Sequence, residues 1–96
     1  MKSGYVYLMA NRPKGKTYLG VTSVLAQRAY QHRNALMDGY SKQHGCHLLV
    51  WFEHFINLQD ARACEFRMKK WHRAWKIRLI EESNPEWRDL YEELML

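Results

Sequence analysis

The sequence predicts a small α/β (α+β) domain, in which a three-stranded antiparallel β-sheet is flanked by helices. Two short runs of aromatic and β-branched residues flank a loop with Pro and Gly at residues 11–16, as expected of an antiparallel hairpin. A third apolar run at residues 47–56 supplies the third strand, and apolar residues recur at helical spacing in residues 24–38 and 59–75. A chain of 96 residues holds one hydrophobic core, so we expect residues 1–96 to form a single domain.

The hairpin is predicted to have two unlike faces, because side chains alternate along a strand. The aliphatic side chains of both strands share the face that can be buried in a core: Val6, Leu8, Ala10, Leu19 and Val21. The other face gathers Tyr7 and Tyr18 beside Gly20, which leaves open space next to the rings. This arrangement suits a binding or catalytic site, and it equally suits an ordinary cross-strand aromatic pair.

The first helix is predicted over residues 24–38, because Thr22-Ser23 offers an N-cap before it and Gly39 suits its end. Its inward stripe follows steps of four, three and four residues: Leu25, Ala29, His32 and Leu36. Arg28 lies one turn before His32 and close to this stripe. Its stem can cover apolar surface while the guanidinium stays in water. Alternatively, the guanidinium points across the tyrosine face toward a phosphate, which its planar fork binds well.

The middle of the chain is predicted to form a loop over residues 40–45, followed by the strand at residues 47–56. The strand's apolar run interrupts alternation, which is typical of burial on both faces, so we place this strand at the centre of the sheet. His44, Cys46 and His47 resemble a fragment of a zinc site. Their spacing is too tight and no second ligand pair stands nearby, so zinc is not expected.

A second long helix is predicted to begin at Gln59 or Asp60 and to end near Trp75. One face of it is apolar and suited to packing: Ala61, Cys64, Met68, Trp71 and Trp75. Another face is basic: Arg62, Lys69, Arg73 and Lys76. Glu65 flanks the apolar stripe and can form a surface ion pair with Lys69, one turn later.

The C-terminal segment is predicted to form a final helix after a break at residues 83–85. Asn84 is a natural N-cap residue and Pro85 a natural first helical residue. The inner side of this helix is apolar: Trp87, Leu90, Tyr91 and Leu94.

Charge divides the chain into a basic body and an acidic tail. Residues 1–80 contain fourteen Lys and Arg against four acids, a net charge of +10, whereas residues 81–96 have a net charge of −5. A basic body favours a polyanionic partner such as nucleic acid. No apolar run has the length of a membrane span, and Cys46 and Cys64 are expected as free thiols, so we expect a cytoplasmic protein without a membrane partner.

Several of these residues together carry a resemblance to a known family. Tyr7 and Tyr18 lie eleven residues apart, Tyr18 opens the tripeptide Tyr-Leu-Gly, and Arg28, His32 and Glu65 follow. This pattern, over nearly the whole chain, resembles the small stand-alone members of the GIY-YIG nuclease superfamily. The first motif departs from the family name, because Tyr5 stands at the glycine position before Val6 and Tyr7.

The resemblance implies the GIY-YIG endonuclease fold and a divalent-metal-dependent hydrolysis of DNA phosphodiester bonds. It implies that Glu65 holds one Mg²⁺ or Mn²⁺ and that Arg28 neutralises the phosphate. Tyr7 would receive the proton of the attacking water with Tyr18 alongside, or His32 would accept that proton; the sequence leaves both routes open. Weak and salt-sensitive DNA binding of low sequence specificity is expected through basic residues of the second long helix: Arg62, Lys69, Lys70, Arg73 and Lys76.

Two other interpretations stay open. The chain can be a non-catalytic nucleic-acid-binding module that retains the fold, an interpretation supported by Phe66 where many small members carry a lysine. It can also be a nuclease that a partner protein activates, or one whose site is covered by the acidic tail or a second copy. Repair and recombination both fit, and the sequence does not decide between monomer and homodimer.

Overall fold

The computed structural model describes residues 2–36 and 38–95. It confirms the predicted three-stranded antiparallel sheet with flanking helices. The elements are β1 (Gly4–Ala10), β2 (Thr17–Thr22), α1 (Leu25–Arg33), α2 (Tyr40–Gln43), β3 (Leu48–Phe55), α3 (Leu58–Met68), α4 (Arg73–Ser83) and α5 (Tyr91–Leu94). None of these helices has the length and apolar character needed to cross a membrane, as judged over the described residues.

The strand order is β2-β1-β3, so β1 is the central strand and the predicted central position of β3 is wrong. The apolar run that suggested a central strand has two causes. The first is a β-bulge, because Leu8 pairs with Trp51 but Met9 pairs with Leu49. Val50 is the extra residue, and Val50 and Trp51 both belong to the core on one side of the sheet.

The second cause is that the outer edge of β3 is covered by the segment after α4. The Leu90 N–H donates to the Leu49 carbonyl at 2.7 Å, and the Leu49 N–H donates to Asp89 Oδ1 at 3.1 Å. Asn84 Nδ2 donates to the Val50 carbonyl at 3.1 Å. The part of β3 covered in this way, Leu49 to Trp51, is buried as a central strand would be, whereas Glu53 and His54 are exposed.

The aliphatic face of the hairpin is buried as predicted. Val6, Leu8 and Ala10 pack with the bulged part of β3 and with Ala61 and Met68 of α3. The α4 residue Ile80 and the later Trp87 complete this core. This side of the sheet is therefore stabilised by burial of apolar surface.

Helix α1 is shorter than predicted. It ends at Arg33, Ala35 takes a left-handed conformation with φ of 54°, and Leu36 is 63% exposed instead of lying on the inward stripe. Met37, also inside the predicted helix, lies outside the described residues. At the start of the helix, the Thr22 hydroxyl accepts the Val24 N–H at 3.0 Å, and Val24 itself holds the N-cap position.

The long helix predicted to end near Trp75 is two helices, α3 and α4. The chain leaves α3 through two tight turns, in which Lys70 N–H donates to Arg67 and Trp71 N–H donates to Met68. Trp75 consequently lies on α4 and is 49% exposed. The predicted basic face is therefore divided between two helices.

The segments at residues 40–45 and 83–94 also differ from prediction. The first contains the helical turn α2 instead of a plain loop. Asn84 is the C-cap of α4 instead of an N-cap, and among residues 85–95 only α5 is helical. The acidic tail is held to the end of α1, where Arg33 Nη1 pairs with Glu92 Oε1 at 3.1 Å and the guanidinium lies over the Tyr91 ring.

Candidate active site

Tyr7 lies on the central strand, on the sheet face that packs against α1, and is 2% exposed. Its register partner on β2 is Gly20. A Cβ atom at this glycine would lie 2.5 Å from Tyr7 Cζ and from its hydroxyl oxygen. Gly20 therefore provides the room through which the phenol extends, and the open space expected beside the tyrosines is filled by the Tyr7 ring.

A chain of hydrogen bonds leads from Tyr7 through α1 into α2. The Tyr7 hydroxyl lies 2.9 Å from His32 Nε2, and His32 Nδ1 lies 2.7 Å from Ser41 Oγ. Ser41 Oγ in turn donates to the Cys46 carbonyl at 3.2 Å. Tyr7, His32 and Ser41 are all buried.

The order of donors in this chain follows from its far end. A carbonyl oxygen only accepts hydrogen bonds, so Ser41 donates its single hydroxyl proton to the Cys46 carbonyl. Ser41 Oγ must then accept a hydrogen bond from His32 Nδ1–H. In the neutral imidazole, Nε2 consequently carries a lone pair and accepts the hydrogen bond that the Tyr7 hydroxyl donates.

Tyr18 completes a group of three neighbouring rings. Its centroid lies 6.4 Å from that of Tyr7 and 5.1 Å from that of His32. Unlike Tyr7, it is half-buried. Tyr18 therefore lines the side of the cluster that solvent reaches.

The electrostatic environment favours neutral forms of both Tyr7 and His32. Burial raises the pKa of Tyr7, the nearby Tyr18 raises it further, and the Arg28 charge lowers it by less. Burial lowers the pKa of His32 below its ordinary 6.5, and Arg28 lowers it again. Arg28 thus acts on both groups from α1, but it does not by itself produce an acidic phenol.

Glu65 lies on α3, the helix that packs on the aliphatic face of the sheet and also contacts β2. Its side chain is 13% exposed, and its carboxylate pairs with Lys69 Nζ at 3.0 Å. The surface pair expected between these residues is present, although the carboxylate is more buried than a typical surface acid.

The donor set suits one kind of metal and does not suit another. Among the described residues, no three His, Cys, Asp or Glu side chains are grouped as metal ligands. This does not fit a closed zinc site, and His44 instead packs against the Tyr40 ring at 4.2 Å. A single buried carboxylate such as Glu65 fits Mg²⁺ or Mn²⁺, because a hard ion of this kind takes most of its ligands from water and phosphate.

The basic residues predicted for DNA binding do not share one face. Arg62 is exposed on α3, and Lys69 pairs with Glu65. Lys70 lies over the Phe66 ring, 4.5 Å from its centroid. Two further members lie on α4: Arg73, which bonds to the turn between β1 and β2, and Lys76, which is half-buried.

Ser41 is the residue of this site that sequence reasoning missed. It lies nine positions after His32, in a segment predicted as loop, and one serine among polar loop residues carries no periodic signal. In the fold, the polar helix α2 covers the outer side of His32. Finding Ser41 requires the tertiary contact.

Most of this chain matches known proteins. A model of the GIY-YIG catalytic domain matches residues 3–78. A UPF0213 protein of Clostridium perfringens is 32% identical over 80 residues, which cover 83% of this chain and 85% of the relative. A UPF0213 protein of Oceanobacillus iheyensis is 30% identical over 82 residues, covering 85% of this chain and 94% of the relative.

A solved structure is also similar. The solution NMR structure of a UPF0213 protein from Bacillus halodurans aligns with a TM-score of 0.56 and covers 91% of this chain and 92% of its own. At 23% identity, this likeness supports the fold and nothing finer.

Proposed function

Because this chain belongs to the family of GIY-YIG catalytic domains, we propose that it is a DNA endonuclease that hydrolyses phosphodiester bonds with one Mg²⁺ or Mn²⁺. The observation that carries this proposal is the buried chain from Tyr7 through His32 to Ser41, with bonds of 2.9 and 2.7 Å. A purely structural aromatic cluster does not need an oriented imidazole at its centre. Proton transfer does.

The proton route runs through Tyr7 to His32. The attacking water gives its proton to the Tyr7 oxygen while the Tyr7 hydroxyl proton passes to His32 Nε2. A free phenolate is never required, which suits a phenol whose pKa is raised by burial. His32 begins the reaction neutral, because its pKa is lowered.

Arg28 and Glu65 have the charge-bearing roles. Arg28 neutralises the phosphoryl oxygens from α1, where its charge already acts on Tyr7 and His32. Glu65 would hold the divalent ion, which, when bound, acts as a Lewis acid on the phosphate and the leaving oxygen. Tyr18 borders the half-buried side of the cluster and positions the attacking water beside Tyr7.

The biological setting is part of the proposal. Dispersed basic side chains favour contacts with the phosphate backbone over base readout, so sequence specificity is low. We place the activity in the cytoplasm, in repair or recombination of DNA.

A non-catalytic nucleic-acid-binding module is the second candidate. One observation favours it: Lys69 Nζ lies 3.0 Å from the carboxylate that would hold the metal. An ion would have to displace this ammonium group or share the carboxylate with it. Metal-dependent cleavage separates the two candidates.

The test is cleavage of supercoiled, branched and single-stranded DNA with Mg²⁺ or Mn²⁺. We expect Glu65→Gln to reduce cleavage by roughly 10²-fold or more while DNA binding is retained. Glu86→Gln removes an exposed carboxylate outside the site and serves as the matched control. Metal-dependent cleavage retained by Glu65→Gln would contradict the metal assignment, and no cleavage by the wild type on any substrate would favour the binding module.

A further inference from the structure

We propose that a basic cleft at the β1–β2 turn binds a backbone phosphate of the nucleic acid beside the scissile bond. This turn cleft has a volume of about 440 Å³ and is formed by three elements: the turn itself, α2 and the start of α4. Its lining residues are Arg12, Lys14, Gly15, Lys16, Thr17, Tyr40 and Arg73. Phosphate binding in the cleft is independent of the proposed function; only the position of the scissile bond beside the cleft rests on it.

The turn that forms one wall is held in a defined shape. Asn11 Oδ1 accepts the Lys16 N–H at 2.8 Å, and the Gly15 N–H donates to the Arg12 carbonyl at 2.9 Å. Lys14 takes a left-handed conformation, with φ of 58°. At position 15 a side chain would overlap Asn11 Oδ1, so glycine is required there. The cationic side chains thus extend from a turn whose backbone is held in a fixed conformation.

Arg73 ties α4 to this turn. Its Nη2 donates to the Lys14 carbonyl at 2.8 Å and to the Gly15 carbonyl at 2.6 Å. Carbonyl oxygens are neutral, so these bonds fix the guanidinium in place without cancelling its charge. The cost of bringing Arg73 beside three other cations is expected to be offset when an anion binds.

The charge of the turn cleft has little local compensation. Four of its lining residues are Lys or Arg, and none is Asp or Glu. The carboxylate of Glu81 approaches Lys14 Nζ only to 4.0 Å, and the same carboxylate also accepts the Trp87 indole N–H at 2.8 Å. Thr17 and Tyr40 add hydroxyl groups, which together with cations form the usual donor set for phosphate oxygens.

The position of the cleft determines which phosphate it would bind. Thr17 precedes Tyr18 on β2, with its side chain on the opposite face of the strand, and Tyr40 precedes Ser41 on α2, so the cleft adjoins the tyrosine cluster along the chain. In the proposed complex, a nucleic-acid strand with its scissile phosphate at that cluster extends over the turn. This continuity favours a phosphodiester backbone over an isolated acidic peptide as the ligand.

The experiment compares two double variants that remove the same charge. Arg12→Gln with Lys16→Gln removes two cations of the turn cleft, and Lys2→Gln with Arg78→Gln removes two exposed cations that lie outside the cleft and outside the predicted DNA-binding set. Binding of a fluorescein-labelled DNA duplex to the full chain is followed by anisotropy at several salt concentrations in EDTA. We expect the cleft variant to bind about tenfold more weakly and its slope of log K against log salt to fall by about 1 to 2.

The outcomes separate this proposal from the nuclease proposal. Equal losses in both double variants, or a loss only in the Lys2 and Arg78 variant, would overturn the turn cleft. Amide NMR spectra report whether each variant is folded. They also locate the binding site, because bound DNA should shift the Lys14, Gly15 and Lys16 signals in the wild type. DNA binding that depends on the cleft, without cleavage in Mg²⁺, would support the cleft proposal and contradict the nuclease proposal. Cleavage together with binding that the cleft variant leaves unchanged would support the nuclease proposal and contradict the cleft proposal.

Discussion

The two faces of the sheet share the strand β1 but are held by different forces. Toward α3, Val6 and Leu8 are fully buried among other apolar side chains, where contacts have no preferred direction. Toward α1, Tyr7 is almost as buried, yet its hydroxyl lies in a directed chain through His32 to Ser41. The alternation of a single strand therefore delivers a packing surface and an oriented proton route at once.

Residues on both faces are buried, so burial does not distinguish a structural from a functional residue in this sheet. What distinguishes the faces is how polar atoms are satisfied. In the described part of the chain, no buried side-chain nitrogen or oxygen lacks a hydrogen-bond partner. A buried polar chain of this kind is costly unless complete, so removing one of its atoms should lower stability as well as impair the chemistry.

The largest expected effect comes from a matched pair of neighbours on β1. Tyr7→Phe keeps the ring but removes the proton-carrying oxygen, so cleavage should fall by about 10²- to 10⁴-fold with about 1 kcal/mol of stability lost. Leu8→Ala leaves a cavity on the other face and should cost about 2–5 kcal/mol. Chemical denaturation and single-turnover cleavage of the folded fraction measure the two quantities separately.

Two outcomes for Tyr7→Phe and Leu8→Ala would contradict the difference described between the two faces of the sheet. Cleavage by Tyr7→Phe at the wild-type rate would show that the buried chain is structural. A cleavage defect in folded Leu8→Ala equal to that of Tyr7→Phe would show that the two faces are not independent.

Ser41 provides the next test, with a smaller effect. Ser41→Ala leaves His32 Nδ1–H without its acceptor, so the imidazole loses its fixed tautomer and Nε2 no longer reliably accepts from Tyr7. We expect cleavage to fall about tenfold, equivalent to about 1.4 kcal/mol. Nitrogen NMR of the imidazole should report Nδ1–H in the wild type and a tautomer mixture in the variant.

Ser41→Thr is the matched control, because it retains a hydroxyl at the same position and should restore most of the activity. A loss of activity in Ser41→Ala with an unchanged tautomer would instead assign the residue to packing alone.

The difference between the faces was predictable because it is local. Alternation along β1 and β2 follows from strand geometry, and it correctly separated Leu8 and Leu19 from Tyr7 and Tyr18. The step from Arg28 to His32 likewise follows from helix geometry. The structure brings Tyr7 and Tyr18 together as this local reasoning indicated, and it places His32 beside both rings. The roles of these residues in cleavage are proposals.

What the sequence did not reveal depends on distant contacts. The edge position of β3 depends on residues 84–90, far along the chain, which cover its outer side. The break after Met68 carries no Gly or Pro, and apolar residues continue at helical spacing across it. The Ser41 contact arises only when α2 folds over His32. In each case the deciding partner is tertiary, and periodicity cannot report it.

The smallest effect expected is on stability as a function of pH. Burial and the Arg28 charge lower the pKa of His32 from 6.5 in the folded protein. Between that lowered pKa and 6.5, the unfolded chain binds more protons than the folded one, so stability rises with pH. The contribution is fully present above 6.5 and is lost as the pH falls through the lowered value.

Urea denaturation at several pH values checks this against His32→Gln, which removes the titrating group and retains a polar side chain beside Tyr7 and Ser41. We expect the stability difference between wild type and variant to be constant above about pH 7.5 and to shift against the wild type as the pH falls below about 6.5. Leu8→Ala removes no titratable group, so it should keep the wild-type pH dependence while losing stability at every pH. A pH dependence unchanged by His32→Gln would mean that His32 protonates as readily in the fold as outside it. Neutral His32, and with it the acceptor of the Tyr7 proton, would then lose its support.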